Sequence, residues 1–194
     1  MKTIVLFFIL FILNVGAETE SDAASYARYL VRHEYFGVFS SQLNESPNIS
    51  IATAEDFAES CKMDGNLVFM LADVEIAAKN LYKNPYGSFS VAAPNCSAND
   101  FHGLPYDPLA CIRFSLVGEF IRDDFPVNTS DPEFIAFQAK HPAAIDWIKY
   151  SGHTFRMWNM DIIKIDYVGG YGDLHYIGEI SPDIYFGAKP VKPN

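Results

Sequence analysis

The sequence YGSFSVA at residues 86–92 decides the fold, together with IRFSLVGEF at residues 112–120. Both stretches alternate with the period of two that is typical of a β-strand with one buried face. On the apolar side lie Gly87, Phe89 and Val91 of the first stretch and Ile112, Phe114, Leu116 and Phe120 of the second. On the polar side lie Tyr86, Ser88, Ser90, Arg113, Ser115 and Glu119. The pattern predicts two antiparallel strands joined by a long loop.

The loop between these strands is rich in Pro, Asn, Asp and Gly, with Cys96 near its start and Cys111 at its end. Loops longer than about 12–15 residues in a compact domain are usually functional, stapled or disordered. Because antiparallel strands bring their ends together, we predict a disulfide between Cys96 and Cys111. The third cysteine, Cys61, is left as a free thiol, an intermolecular bridge or an alternative partner for either of them.

Outward from this centre, three helices and four further strands are signalled. Two of the strands are predicted at 38–43 and 49–53, with a turn at 44–48 between them. Thr19 and Asp22 have the spacing of a capping box, which predicts a helix ending near His33 with Arg28 and Arg32 off its apolar stripe. Asp131-Pro132 predicts another helix start, with Phe134, Ile135 and Phe137 on the apolar face of that helix. Strands are predicted at 67–72 and 154–167, a helix capped by Asp73 at 74–82, and a loose tail at 187–194. Many strands and few helices predict an α+β, mainly β fold: an antiparallel barrel with peripheral helices.

The N-terminus has the pattern of a signal peptide. Lys2 precedes an apolar run from Ile4 to Leu13, and Val15-Gly16-Ala17 is a small-residue cleavage site. The run is shorter than the roughly 20 residues that span a bilayer, and no other stretch is apolar enough to do so. We therefore predict a signal peptide at 1–17, a single domain at 18–194 and no transmembrane segment.

Four Asn-x-Ser/Thr sequons follow the signal peptide, which is consistent with a secreted glycoprotein. They begin at Asn44, Asn48, Asn95 and Asn128. Secretion also supplies the oxidising compartment that a disulfide requires. With a net charge of −10, the chain is not expected to bind nucleic acid, which attracts basic surfaces.

The residues do not predict catalysis or a metal centre. The five histidines have no paired ligand spacing, Cys61 has no CxxC partner, and there is no G-x-S-x-G motif. A flavin phosphate would need convergent donors or a glycine-rich helix entry. Arg113, Ser115 and Arg156 are the weak candidates for such donors, so we expect no bound cofactor, with flavin mononucleotide as the alternative.

Aromatic residues are concentrated in the C-terminal third of the chain. Core packing is one interpretation, and an obligate dimer face is the other. The residues concerned include Phe155, Trp158, Tyr167, Tyr176, Tyr185 and Phe186.

An ordered set of motifs resembles the CREG family of secreted glycoproteins. The set comprises ARYLVRH at 27–33, Asn80-Leu81 with Asn84-Pro85-Tyr86, the two cysteines around the loop, His141-Pro142 followed by Trp147, and Asp166-Tyr167 with Gly169-Gly170. The resemblance implies a split β-barrel of the FMN-binding type, a homodimer, and a place in the secretory and endolysosomal system. It also implies a barrel without a working flavin site.

Two functions follow from these observations. The first is a secreted or endolysosomal glycoprotein without enzymatic activity, which acts as a homodimer through protein contacts, including a sorting receptor that reads its glycans. The alternative is a flavin- or haem-binding oxidoreductase that uses the cleft of the barrel dimer. The missing phosphate donors favour the first.

Overall fold

The computed structural model describes residues 17–94, 111–149, 152–170 and 174–193. Within these ranges, five helices surround eight strands. The helices are α1 (Glu20–His33), α2 (Ile76–Leu81), α3 (Pro132–Lys140), α4 (Ala144–Trp147) and α5 (Pro182–Gly187). The strands are β1 (Phe36–Leu43), β2 (Ser46–Asp56), β3 (Ala58–Glu59), β4 (Leu67–Ala72), β5 (Tyr86–Ala92), β6 (Arg113–Arg122), β7 (Phe155–Val168) and β8 (Ile177–Ile180).

The strands form one antiparallel sheet in the order β2-β1-β5-β6-β7-β4-β3, with β8 paired to β7. The predicted antiparallel split β-barrel with peripheral helices is confirmed. Its centre is the pair predicted from the alternating pattern, since β5 has the expected bounds and Phe89 lies opposite Leu116 of β6. Both side chains are buried in the main core.

Strand β4 is buried along its whole length, as its continuous apolar run predicts. Leu67, Phe69 and Leu71 face the main core inside the barrel. Val68 and Met70 face a second, smaller core that α3 and α4 complete with Phe134, Phe137 and Ala144. The two helices therefore cover a face of the sheet that would otherwise expose apolar surface.

The capping box at the start of α1 is confirmed. The Thr19 side chain accepts a hydrogen bond from the Asp22 backbone N–H, and the Asp22 carboxylate accepts one from the Thr19 N–H. The prediction that Arg28 lies off the buried stripe is wrong. Arg28 is 2% exposed and lies among the alanine and leucine side chains of the buried face of α1.

Arg28 is buried because it has a buried partner. Its Nη2 donates to Glu59 Oε1 at 2.7 Å and to the Met63 carbonyl at 2.9 Å, while Arg32 Nε donates to Glu59 Oε2 at 2.7 Å. The turn after Glu59 wraps closely around the guanidinium. A Cβ on Gly65, whose φ is +101°, would lie 2.8 Å from Arg28 Nε.

The C-terminal segment completes this cluster, and its structure was not predicted. Helix α5 and strand β8 lack a long periodic signal, and contacts with the rest of the chain position them. Tyr185 of α5 is fully buried, and its hydroxyl donates to the Gly65 carbonyl at 2.9 Å. Arg28 Nη1 lies 3.4 Å from the Tyr185 and Phe186 carbonyl oxygens.

Several boundaries also differ from the prediction. Helix α2 begins at Ile76, and Asp73 is not its cap: it accepts a hydrogen bond from the Tyr82 hydroxyl at 2.7 Å. Strand β2 begins at Ser46, inside the segment predicted as a turn. Ile135, predicted on the apolar face of α3, is exposed. No helix in the described ranges is long and apolar enough to cross a membrane.

We expect Glu59→Gln to lower the free energy of unfolding by about 3 kcal/mol, because it leaves the buried Arg28 guanidinium without its counter-charge. Urea denaturation measures the change. The matched control is Asp146→Asn, which removes an ion pair to Lys149 whose side chains are both exposed and should cost less than about 1 kcal/mol. Equal losses in the two variants would contradict this account of the cluster.

Candidate functional site

The described part of the chain contains a pocket of about 430 Å³ between the start of β1, the end of β2, β4, α4 and the start of β7. We call it the acidic pocket. Its apolar walls are Phe36, Ala54, Met70, Trp147 and Phe155. Met70, Trp147 and Phe155 belong to the second core, so the packing of α4 against β4 fixes this wall.

Three carboxylates complete the lining of the acidic pocket: Glu55, Asp56 and Glu75. Its lining contains no lysine, arginine or histidine. Glu55 and Asp56 are brought there by the end of β2, where they pair with Gly37 and Phe36 of β1. Glu75 comes from a separate segment, the turn between β4 and α2. Acidic side chains from two separate segments therefore converge on one apolar cavity.

Burial and mutual repulsion act on these carboxylates. Burial, and secondarily the charge of Glu55, raises the pKa of Glu75 to about 7. Burial also raises the pKa of Glu55. Glu75 Oε2 is inaccessible to solvent and has no hydrogen-bond partner in the structure. An ionised, unpaired oxygen in such a place is destabilising, so Glu75 holds its proton well above the pH at which a solvated glutamate loses it.

The weak phosphate-binding candidates do not come together. Arg113 begins β6 and lies opposite Val168, whereas Arg156 lies at the other end of β7. Arg156 is held by the Asp73 carboxylate, at 3.3 Å, and by the Asp124 carbonyl. Ser115 Oγ lies 2.7 Å from Ser90 Oγ on the neighbouring strand. The three side chains therefore do not form one anion site.

Cys61, one of the two cysteines that the structure describes, is not an activated nucleophile. Cys61 is an exposed free thiol whose Sγ lies 3.3 Å from Glu133 Oε1. Partial burial, and then the Glu133 carboxylate, raises the pKa of this thiol, which disfavours the reactive thiolate. Cys111 is buried. Its predicted partner, Cys96, lies outside the described residues, so the disulfide stays a prediction.

The aromatic residues of the C-terminal third are mainly core residues. Trp158, Tyr167 and Tyr185 are almost completely buried within this chain. Of the two interpretations of this aromatic cluster, the structure therefore favours core packing. Among the residues described, no group of His, Cys, Asp and Glu side chains has an arrangement that would hold a metal ion.

A second surface of interest is the outer sheet face, which we define by Val38, Ser40, Ser88, Ser90, Ser115 and Val117 of β1, β5 and β6. Cross-strand pairs align them in two rows: Val38–Ser90–Ser115 and Ser40–Ser88–Val117. Charged residues appear at the ends of these rows on β7, as Asp166 and Lys164. The interior of the face is small and uncharged, which is unusual for a solvated antiparallel sheet.

Comparison with known protein families matches residues 18–187 to the CREG, beta-barrel family. Among solved structures, the chain is similar to a heme binding protein from Mycobacterium smegmatis, with a TM-score of 0.69 and 23% identity over 87% of this chain and 61% of that one. HutZ, the heme storage protein from Vibrio cholerae, has a TM-score of 0.54 and 9% identity over 70% of this chain and 87% of that one. Campylobacter jejuni ChuZ has a TM-score of 0.53 and 11% identity over 71% of this chain and 52% of that one.

These identities establish a shared fold alone, and the chain spans only about three fifths of the Mycobacterium protein. No curated protein matches the chain.

We expect Glu75→Gln to change how stability depends on pH. The folded pKa, about 7, lies above the ordinary value of 4.5, so the stability that protonated Glu75 provides is complete at low pH and is lost as pH rises through 4.5 to 7. The variant should therefore raise the free energy of unfolding at pH 8, on the order of 1 kcal/mol because the site is partly exposed, and leave it unchanged at pH 4, below the whole window.

Urea denaturation at the two pH values makes this comparison, with Glu45→Gln on the exposed turn after β1 as the control. A gain of equal size at both pH values would show that Glu75 does not titrate in this window.

Proposed function

The chain belongs to the CREG family, and we propose that it is a secreted or endolysosomal glycoprotein without enzymatic activity that acts as a homodimer through protein contacts. The observation that carries the proposal is the outer sheet face, an uncharged surface on a strongly acidic protein. The structure of the acidic pocket, which does not suit an anionic redox cofactor, supports the non-enzymatic part.

The partner that best fits the outer sheet face is a second copy of the chain. Each copy has a net charge of −10, so two copies repel unless they meet where charge is lowest. Serine and valine side chains let two sheets approach to the usual spacing of about 10 Å. Around the small residues, exposed Tyr86, Ile121 and Ile163 add apolar area that a monomer would leave in water.

The N-terminal end of the folded domain supports secretion. Glu18, the first residue after the predicted cleavage point, is built into the barrel. Its carboxylate accepts hydrogen bonds from the Tyr167 hydroxyl at 2.7 Å and the Tyr176 N–H at 3.0 Å. The Glu18 N–H donates to the Leu174 carbonyl at 2.9 Å. Residues 1–16, which belong to the predicted signal peptide, lie outside the described ranges.

The exposed sequons are the proposed attachment points for glycans, which a sorting receptor would then recognise. Asn48 is exposed on β2, the edge strand of the sheet, and Asn128 is exposed before α3. Asn44 is also exposed, but its side-chain amide donates to the Lys79 carbonyl at 2.9 Å. Asn95 lies outside the described residues. We therefore assign the glycans first to Asn48 and Asn128.

Haem or flavin binding is the second candidate, because similar structures include heme proteins by title. Both cofactors carry anionic groups, propionates in haem and a phosphate in flavin mononucleotide. The acidic pocket would repel them, and the arginines that might bind a phosphate lie at opposite ends of the sheet. This candidate therefore has the support of the fold but not of the side chains.

Protein made by a eukaryotic secretory host tests both candidates in one preparation. We expect it in the medium, with N-glycans that enzymatic deglycosylation removes and that Asn48→Gln and Asn128→Gln each reduce by one. We also expect neither a Soret band nor a flavin band in its absorption spectrum. Retention of the protein inside the cell without glycans would contradict the proposal, and a stoichiometric chromophore would favour the second candidate.

Light scattering at micromolar concentration tests the dimer. We expect the mass of two chains for the wild-type protein and of one chain for Val117→Arg, because the substitution buries an unpaired charge in the proposed interface. The control is Ile135→Arg, at an apolar site on α3 that is 52% exposed against 38% for Val117, and this variant should remain dimeric. A monomeric wild-type protein, or dissociation of both variants, would overturn this interface.

A further inference from the structure

We propose that the Phe125 side chain binds the first sugar of an N-glycan on Asn128, so that the glycan packs against the protein surface. This inference rests on the proposed function, because the glycan is added in the secretory pathway. Three features of the segment between β6 and α3 support it: an exposed ring, a sequon whose amide nitrogen is available, and a cavity that both residues line.

Phe125 has the largest exposed fraction, 81%, of the large apolar side chains that the structure describes. The backbone on both sides of Phe125 is fixed to β7. The Asp123 N–H donates to the Met157 carbonyl, and the Val127 N–H donates to the Phe155 carbonyl, each at 2.9 Å. The ring between these two anchors is therefore held in solvent, where it is available to a ligand.

The sequon that begins at Asn128 lies three residues after Phe125, and hydrogen bonds orient its side chain. Asn128 Oδ1 accepts hydrogen bonds from the Ser130 N–H and from the Ser130 hydroxyl, both at 3.0 Å. Within the described residues, Asn128 Nδ2, the atom to which a glycan is attached, has no hydrogen-bond partner. Asn44 differs, because its Nδ2 donates to the Lys79 carbonyl. A glycan on Asn128 therefore displaces no hydrogen bond of that amide nitrogen.

Phe125 and Asn128 line the same cavity, which has a volume of about 410 Å³. The other residues that line it are Asp123, Asp124, Pro126, Ser130 and Asp131. A sugar that is attached to Asn128 is already at this cavity, so its effective concentration there is high and little freedom of movement is lost on binding. The volume is within the range of small-ligand sites.

The chemistry of this cavity suits the N-acetylglucosamine that begins an N-glycan. One face of a pyranose ring consists of C–H groups, which pack on an aromatic ring and remove its surface from water. The hydroxyl and amide groups of the sugar are donors, and the Asp123 and Asp124 carboxylates beside Phe125 are acceptors. Because the sugar is neutral, these carboxylates do not repel it, whereas they would repel an anion. A protein partner would have to share the cavity with the glycan.

A double-mutant cycle of Phe125→Ala and Asn128→Gln, in protein from a secretory host, tests this contact by thermal unfolding. Mass spectrometry first measures whether Asn128 carries a glycan in the wild-type protein and in Phe125→Ala. We expect Asn128→Gln to lower the Tm by about 2–4 °C more when Phe125 is present than in the Phe125→Ala background. The control is Ile135→Ala, an exposed apolar site outside the cavity, in whose background Asn128→Gln should have its wild-type effect.

A second measurement detects the contact without relying on stability. The glycans of the folded protein are trimmed to the first N-acetylglucosamine, and the sugar proton signals that are absent from Asn128→Gln are followed by NMR. We expect them upfield of the sugar signals from the other trimmed sites, because the ring current of Phe125 shields them. They should return to the position of the other sites in Phe125→Ala and stay shifted in Phe125→Tyr, which keeps the aromatic ring.

The outcomes separate this inference from the proposed function. If Asn128 carries a glycan, equal Tm losses in the two backgrounds, or sugar signals that Phe125→Ala does not move, would overturn the contact and leave the proposed function intact. A wild-type protein without a glycan on Asn128 would overturn the contact and also contradict the glycan assignment of the proposed function.

Discussion

The buried contact of Glu59 with Arg28 and Arg32 is the interaction on which the rest of the structure depends. It joins α1, the short strand β3, the turn after β3 and the chain at α5. None of these elements forms a long ladder of hydrogen bonds with another element. The Arg28 and Glu59 charges are desolvated, so each requires the other, and the Arg28 guanidinium also contacts the carbonyl oxygens of Met63 and Tyr185. A hydrophobic contact in the same place would tolerate rotation of α1. A guanidinium that is held by the Glu59 carboxylate and by backbone carbonyl oxygens fixes the orientation of the helix.

A shared fold does not fix which ligand a barrel binds. The chain is similar in fold to a heme binding protein, and three carboxylates line its acidic pocket. A redox cofactor with anionic groups needs positive charge at the end of its site, and three of the arginines, Arg28, Arg32 and Arg156, are bound to Glu59 and to Asp73. Specific side chains, and not the arrangement of strands, decide what such a barrel can bind.

Period-two alternation predicted β5, β6 and β7 well, because one face of each strand packs in the core and the other does not. The cap and proline signals at α1 and α3 were equally informative, since they are local. The sequence pattern gave no correct prediction where contacts between distant residues determine the structure. Arg28 has the pattern of a solvated residue, and only its contact with Glu59 explains its burial. Likewise, α5 forms because Tyr185 packs into the interior of the domain. The acidic pocket was missed for the same reason. Its carboxylates come from β2 and from the turn before α2, and no spacing within either segment indicates that they converge.

The anchoring of Glu18 affects how the chain folds during synthesis. Its carboxylate binds Tyr167 across a sequence separation of 149 residues, and Arg28 reaches Tyr185 across 157. Neither contact can form until almost the whole chain has left the ribosome. Until then, helix α1 and its alanine face lack their partners, and an exposed apolar surface favours association with other chains. The barrel is thus expected to fold late and slowly, and it should need chaperone protection for most of its translation.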